Sequence, residues 1–94
     1  LKDEISCEHK YGHISNWDVS QVTNMCCMFD RATNFNQPLN NWKVSKVTDM
    51  HWIFCGATNF NQHLNNLVVS QVTNMCDMFK NSKLEQIYNI ILQI

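Results

Sequence analysis

Apolar residues return along this chain every 25 positions. Ile14, Leu39 and Leu64 begin the pattern, and Trp17, Trp42 and Leu67 follow three positions later. The same offset then links Val19/Val44/Val69, Val22/Val47/Val72, Met25/Met50/Met75, Met28/Ile53/Met78, Phe29/Phe54/Phe79 and Phe35/Phe60. Polar positions repeat with them: residues 17–41 and 42–66 are identical at 16 of 25 positions, and residues 67–79 match the first copy at 10 of 13. After Phe79 the likeness fades. A period of this length marks stacked supersecondary units, each unable to bury its apolar face alone. The chain therefore reads as one repeat domain over 1–94. It divides into an N-terminal cap or partial rung (1–16), repeat 1 (17–41), repeat 2 (42–66), a partial repeat 3 (67–79), and a C-terminal cap or the start of a fourth rung (80–94).

The spacing Leu39-x-x-Trp42-x-Val44 follows the skeleton of a leucine-rich repeat, in which the central residues alternate in and out as a short strand. It predicts a strand of three or four residues around 42–45 and at the equivalent positions. In "MCCMF" and "MHWIF", Met25, Met28 and Phe29 stand at i, i+3 and i+4, which predicts one helical or 3₁₀ turn on the opposite side. The expected fold is an α/β repeat solenoid: a short leucine-rich-repeat-like array, with short parallel strands on one face and helical or 3₁₀ turns on the other. The columns above are its core, led by Trp17, Trp42, Phe29, Phe54, Phe79, Phe35 and Phe60.

"ATNFNQPLNN" returns as "ATNFNQHLNN". Asn is depleted in strands and favoured in bends, since its short amide bonds nearby backbone and tolerates left-handed conformations. The segment reads as a corner, with Phe35 and Phe60 pointing inward and Asn36 and Asn61 serving the bend. Amides stacked on successive copies can also bond along the stack.

Taken together, W-x-V-S-x-V-T-x-M-x-x-M-F-x-x-A-x-x-F-N-Q-x-L-x-x-W resembles the 25-residue repeat of BspA-like leucine-rich repeat proteins. The resemblance is closest to the family first catalogued as a domain of unknown function in Mycoplasma surface lipoproteins, and it covers about residues 11 to 79. It implies a non-catalytic, surface-displayed binding or adhesion protein, in a class that also occurs in other bacteria, protists and large DNA viruses. The third copy departs from the pattern, with "KNSKLEQIYN" where the FNQ corner would fall.

A repeat array exposes an apolar cross-section at each end. In the tail, Ser82-x-x-Glu85 fits a capping box, and Leu84, Ile87, Tyr88 and Ile91 follow at helical spacing, which makes a capping helix. Leu84, Tyr88 and Ile91 also keep the spacing of Phe35, Leu39 and Trp42, which makes the start of a fourth rung. In that second case the open end calls for a neighbour, such as another copy of the chain.

Composition narrows the function classes. With 94 residues, a net charge of −1 and seven scattered Lys and Arg, the chain lacks the basic cluster that nucleic acid requires. Its longest apolar run in the tail, Ile90-Ile91-Leu92, is far short of the roughly 20 residues of a membrane span. No secretory signal is visible, and the chain opens at Leu1 rather than Met, so a leader or preceding domain can lie outside these residues. The five cysteines, two of them adjacent, do not form a paired disulfide framework and favour a reducing compartment. Localisation stays open between a cell surface, from the resemblance, and an intracellular or virion assembly, from the free cysteines.

Cys26, His51 and Cys76 share one column, and Cys with His is a zinc combination. By strand spacing, however, Cys26 and Cys76 stand about 10 Å apart, whereas two thiolates on one zinc lie under about 5 Å apart. The expectation is a packed or half-exposed column of small residues, with no metal and no other cofactor. A cysteine nucleophile would need a base and an oxyanion site, and no glycine-rich or helix-start signal accompanies these residues. Gly12 and Gly56 alone exclude the usual phosphate loops. His13 and His63 share a column with Pro38 and read as surface residues. No enzyme is expected.

What differs between copies points to function. Asp18, Lys43 and Val68 lie between two core positions and face outward, and Gln21, Lys46 and Gln71 follow beyond the serine column. An identical framework with divergent outward residues is what a binding array requires. The sequence thus predicts a module for protein–protein contact or adhesion, its partners other proteins or copies of itself through the ends. The alternatives are a structural building block of a larger assembly, such as a large-virus particle, and a minor Cys/His metal or redox site.

Overall fold

From Met25 to Arg31 every second backbone N–H leaves its own turn and donates to the next copy. Met25, Cys27, Phe29 and Arg31 donate to the carbonyls of Asp49, His51, Ile53 and Cys55, at 2.8 to 3.0 Å. The second copy does the same one step on: Met50, Trp52, Phe54 and Gly56 donate to Asn74, Cys76, Met78 and Lys80. The N–H groups between them close local turns, as in Met28 to Met25 and Ile53 to Met50. The structure, a computed structural model, describes residues 10–84.

This bonding corrects the expected architecture. The chain does not form an α/β repeat solenoid. Among the described residues there is no sheet, and β contacts are limited to two isolated parallel bridges, Asn24 with Asp49 and Asp49 with Asn74. The one helical element bounded within this range is a 3₁₀ turn, Ile14–Asn16. Instead the described chain is a body of turns.

The physical reason lies in two left-handed positions per copy. Cys27, Trp52 and Asp77 have φ of 60°, 58° and 49°, and Arg31, Gly56 and Asn81 have φ of 59°, 71° and 60°. A left-handed residue ends both a right-handed helix and an extended strand. "MCCMF" and "MHWIF" are therefore interrupted turns rather than helical ones. The expected strand at 42–45 is absent for a different reason: the backbone bonds around it are turn closures, Trp42 to Leu39 and Val47 to Val44, and the bonds between copies run through residues 23–31 and their equivalents one copy on. Alternation nonetheless survives there, with Trp42 and Val44 buried and Lys43 exposed.

The core follows the predicted columns. Leu39, Trp42, Val44, Val47, Met50, Ile53, Phe54, Phe60 and Leu64, all from or beside the second copy, are buried. This copy packs between its two neighbours, and its members are covered from both sides. Their counterparts Trp17, Val22, Leu67, Val69, Val72 and Met78 are only partly buried. Met28 departs from its column, being 40% exposed. Ala57, to which the columns gave no role, is fully buried.

Five phenylalanines form the centre. Phe29, Phe54 and Phe79 stack at centroid spacings of 5.5 and 5.6 Å, and Phe35 and Phe60 at 5.6 Å. Within a copy, Phe29 lies 4.2 Å from Phe35, and Phe54 lies 4.2 Å from Phe60. Parallel rings add about 0.5–1.5 kcal/mol per pair beyond the area they bury. Trp42 spans the next seam, its indole N–H donating to the Ile14 carbonyl at 2.9 Å.

Side chains of the polar columns tie the copies together as well. Thr48 donates to the Thr23 carbonyl, and Thr73 to the Thr48 carbonyl, through both backbone N–H and hydroxyl. At the corner, Asn36 accepts from the Asn61 N–H and from the Gln62 amide. His13, expected at the surface, is half-buried and caps the 3₁₀ turn, its Nδ1 accepting from Ser15 N. His63 is exposed.

The expected N-terminal cap falls largely on residues outside the described range. So do the two readings of the tail, capping helix and fourth rung. Ser82, the first residue of the predicted capping box, donates through its hydroxyl to the Phe79 carbonyl at 2.7 Å.

Candidate functional site

Two groups of residues stand out, one on the surface and one half-buried. The surface group is the set of outward residues between framework positions. Asp18, Lys43, Val68, Gln21, Lys46 and Gln71 are all exposed, and Val68 is 58% so. Lys46 Nζ donates to Gln21 Oε1 at 2.9 Å, which joins equivalent positions of neighbouring copies into one surface. The Ser20 N–H donates to Asp18 Oδ1. The hydrogen bonds from Ser20, side chain and backbone, hold the Asp18 carboxyl below its ordinary range.

The half-buried group is built by the turns. In extended chain, adjacent side chains point to opposite faces. The left-handed Cys27 breaks that alternation, and its Sγ lies 3.1 Å from Cys26 Sγ. His51, one copy on from Cys26, brings its Nε2 to 2.9 Å from Cys26 Sγ and 3.9 Å from Cys27 Sγ. Asn24, Asp49 and Asn74 occupy one column, and each accepts the N–H two residues ahead, from Cys26, His51 and Cys76 respectively. The only acid of that column is Asp49, and it stands two residues before His51, the only histidine of the Cys26/Cys76 column.

Its carboxylate oxygen also lies 2.8 Å from His51 Nδ1. A carboxylate only accepts, so Nδ1 carries the proton and Nε2 offers a lone pair to the thiols. The Asp49 carboxyl is held below its ordinary range, first by the backbone N–H of His51, with burial opposing. The Cys26 thiol is pushed up to about 11, chiefly by its hydrogen bond with Cys27 and then by burial. A primed cysteine nucleophile has a depressed value instead, so Cys26 rests as a thiol.

Of the three residues that share the predicted Cys/His column, the structure brings Cys26 and His51 together and leaves Cys76 out. Cys76 is exposed. With Nδ1 turned to Asp49, the other ring nitrogen, Nε2, faces the first copy. Cys27, which the column reading passed over, takes the third place. Donor atoms of Cys26, Cys27 and His51 all lie within 4.8 Å of one another. The signal that could have found this set is the coincidence, in one copy, of Asn→Asp and Cys→His two residues apart.

No helix of the described residues is long and apolar enough to cross a membrane. No curated protein and no solved structure matches the chain. A family described as "Mycoplasma protein of unknown function, DUF285" matches residues 6–89, a span that takes in both full copies, the partial third and all the residues just discussed. With nearly its whole length matched, the chain belongs to that DUF285 family.

Proposed function

We propose that the protein is a non-catalytic binding module of the BspA-like leucine-rich repeat type, contacting other proteins through the surface that carries Asp18, Lys43 and Val68. The observation that carries this reading is the contrast between a repeated buried frame and unlike exposed residues set within it. Trp42, Val19 and Val44 are buried in the core cluster, and Trp17, Leu67 and Val69 pack against it partly buried. The residue between them is in turn an acid, a base and a β-branched apolar side chain, all exposed. A mixed surface of this kind suits a protein partner, which offers complementary charge and apolar contact together, better than a polyanion.

Site-specific photo-crosslinking in the cells of origin tests it. A photoreactive residue at position 43 or 68 should capture a discrete protein partner, and the same residue at the exposed position 59 on the Asn-rich corner should not. Equal capture from both sides, or none from 43 and 68, would count against this surface.

A further inference from the structure

We propose that Cys26, Cys27 and His51 form a binding site for a thiophilic d¹⁰ cation, zinc(II) being the natural occupant, with Asp49 as the outer partner that orients the imidazole. The site is separate from the surface proposed for protein contact and stands or falls independently of it.

Three observations carry it. The first is the donor set, two sulfurs and an imidazole nitrogen, which is what zinc takes in preference to the oxygen ligands of magnesium or calcium. The second is distance. Zinc sits about 2.3 Å from sulfur and about 2.0–2.1 Å from nitrogen, so two of its donors lie no more than about 4.6 Å apart. The three separations, 3.1, 2.9 and 3.9 Å, all fall inside that limit. The two shorter ones lie below the roughly 3.5–3.8 Å donor separations of a tetrahedral site, so one ion reaches all three donors once the side chains spread by under about 1 Å.

The third is pre-orientation. A ligating histidine commonly gives its other ring N–H to a carboxylate, which fixes the tautomer and raises the basicity of the metal-facing nitrogen. Asp49 Oδ1, 2.8 Å from His51 Nδ1, does this with no metal needed to arrange it. Cys27 reaches the cluster from a left-handed backbone position, φ 60°. The same position holds Trp52 and Asp77 in the other copies, so the set of donors belongs to one place in the fold rather than to the repeat.

Binding is balanced by proton release. Each thiol loses its proton as its sulfur bonds zinc, so two protons leave per ion and the two thiolates neutralise its charge. All three residues are half-buried, so solvent reaches the cluster and water can complete the coordination.

The test is anaerobic titration of the reduced chain with cobalt(II) and then zinc(II). The expected result is one ion per chain, thiolate-to-cobalt charge-transfer bands, displacement of cobalt by zinc, and release of two protons. Cys26→Ser, Cys27→Ser and His51→Gln should each abolish the saturable bands, and Asp49→Asn should weaken binding about 10- to 100-fold. A Cys7→Ser/Cys55→Ser/Cys76→Ser variant should bind as the parent does. Cadmium NMR of the parent chain counts the sulfur ligands directly, so the outcome does not depend on any variant folding. No binding by the parent, unchanged binding in Cys26→Ser or Cys27→Ser, one ion shared by two chains, or a cadmium shift without two sulfurs would each overturn the proposal.

Discussion

Asn36 Oδ1 accepts a hydrogen bond from the backbone N–H of Asn61, 2.9 Å away, across the seam between two printings of the same corner. The Gln62 amide donates to the same oxygen at 2.9 Å and to the Asn36 carbonyl at 3.1 Å. An amide that the sequence places at a bend thus also joins one copy to the next.

Replacing Asn36 with Ala removes the acceptor for both donors. The site is exposed, so water takes over part of the bonding, and the expected loss is about 1 kcal/mol. Asn36→Asp keeps an acceptor and should lose less. Urea midpoints of the three proteins, followed by tryptophan fluorescence, check this. An Ala midpoint equal to the parent's would mean that the seam does not rely on this amide.

Phe54 stacks on Phe29, Phe79 and Phe60 and is 1% exposed. Phe54→Ala should cost about 3–5 kcal/mol, from lost transfer energy plus the cavity left among the rings. A domain of this size holds only about 5–15 kcal/mol in total. The variant should be far less stable, or unfolded at ambient temperature, whereas Phe54→Leu keeps most of the volume and should stay folded. Thermal melts of both separate these outcomes, and a loss under about 1 kcal/mol in the Ala variant would contradict the packing described.

Gly56 tests the left-handed turns. A Cβ there would meet Arg31 Cα at 3.6 Å, an ordinary contact, so space is available. The cost of a side chain comes from φ of 71° instead. Gly56→Val should destabilise by about 1–2 kcal/mol, and Gly56→Asn by distinctly less, because Asn tolerates this region. Asn81 already occupies the equivalent position at φ 60°. Denaturant unfolding of the pair gives the comparison, and equal costs would show that the backbone relaxes out of the left-handed conformation.

Much of the molecule is legible in the sequence. The 25-residue offset named the buried columns, and every second-copy member of them is buried. The outward positions 18, 43 and 68 are exposed as alternation demands. Periodicity reports which side chains share an environment, and that is decided by apolar burial. The local conformation was not legible in the same way. Met25, Met28 and Phe29 have helical spacing, yet Cys27 at φ 60° forbids the helix. The traces of that in the sequence are Asp77 in the column of Cys27 and the Arg31/Gly56/Asn81 column, where Gly and Asn hint at a left-handed residue that Arg conceals.

The cysteine–histidine cluster divides along the same line. The column offset alone put Cys26 beside His51. Whether Cys27 or Cys76 completed the group depended on a backbone reversal that turns two adjacent thiols to one side, and on which imidazole nitrogen Asp49 takes. By itself the sequence determined the period, the core and the outward face, because each follows from residue type repeated at fixed spacing. Tertiary structure alone decided that turns rather than strands link the copies and that two thiols and an imidazole converge. Those outcomes rest on dihedral angles and on hydrogen bonds between residues some 25 apart, which no local pattern encodes.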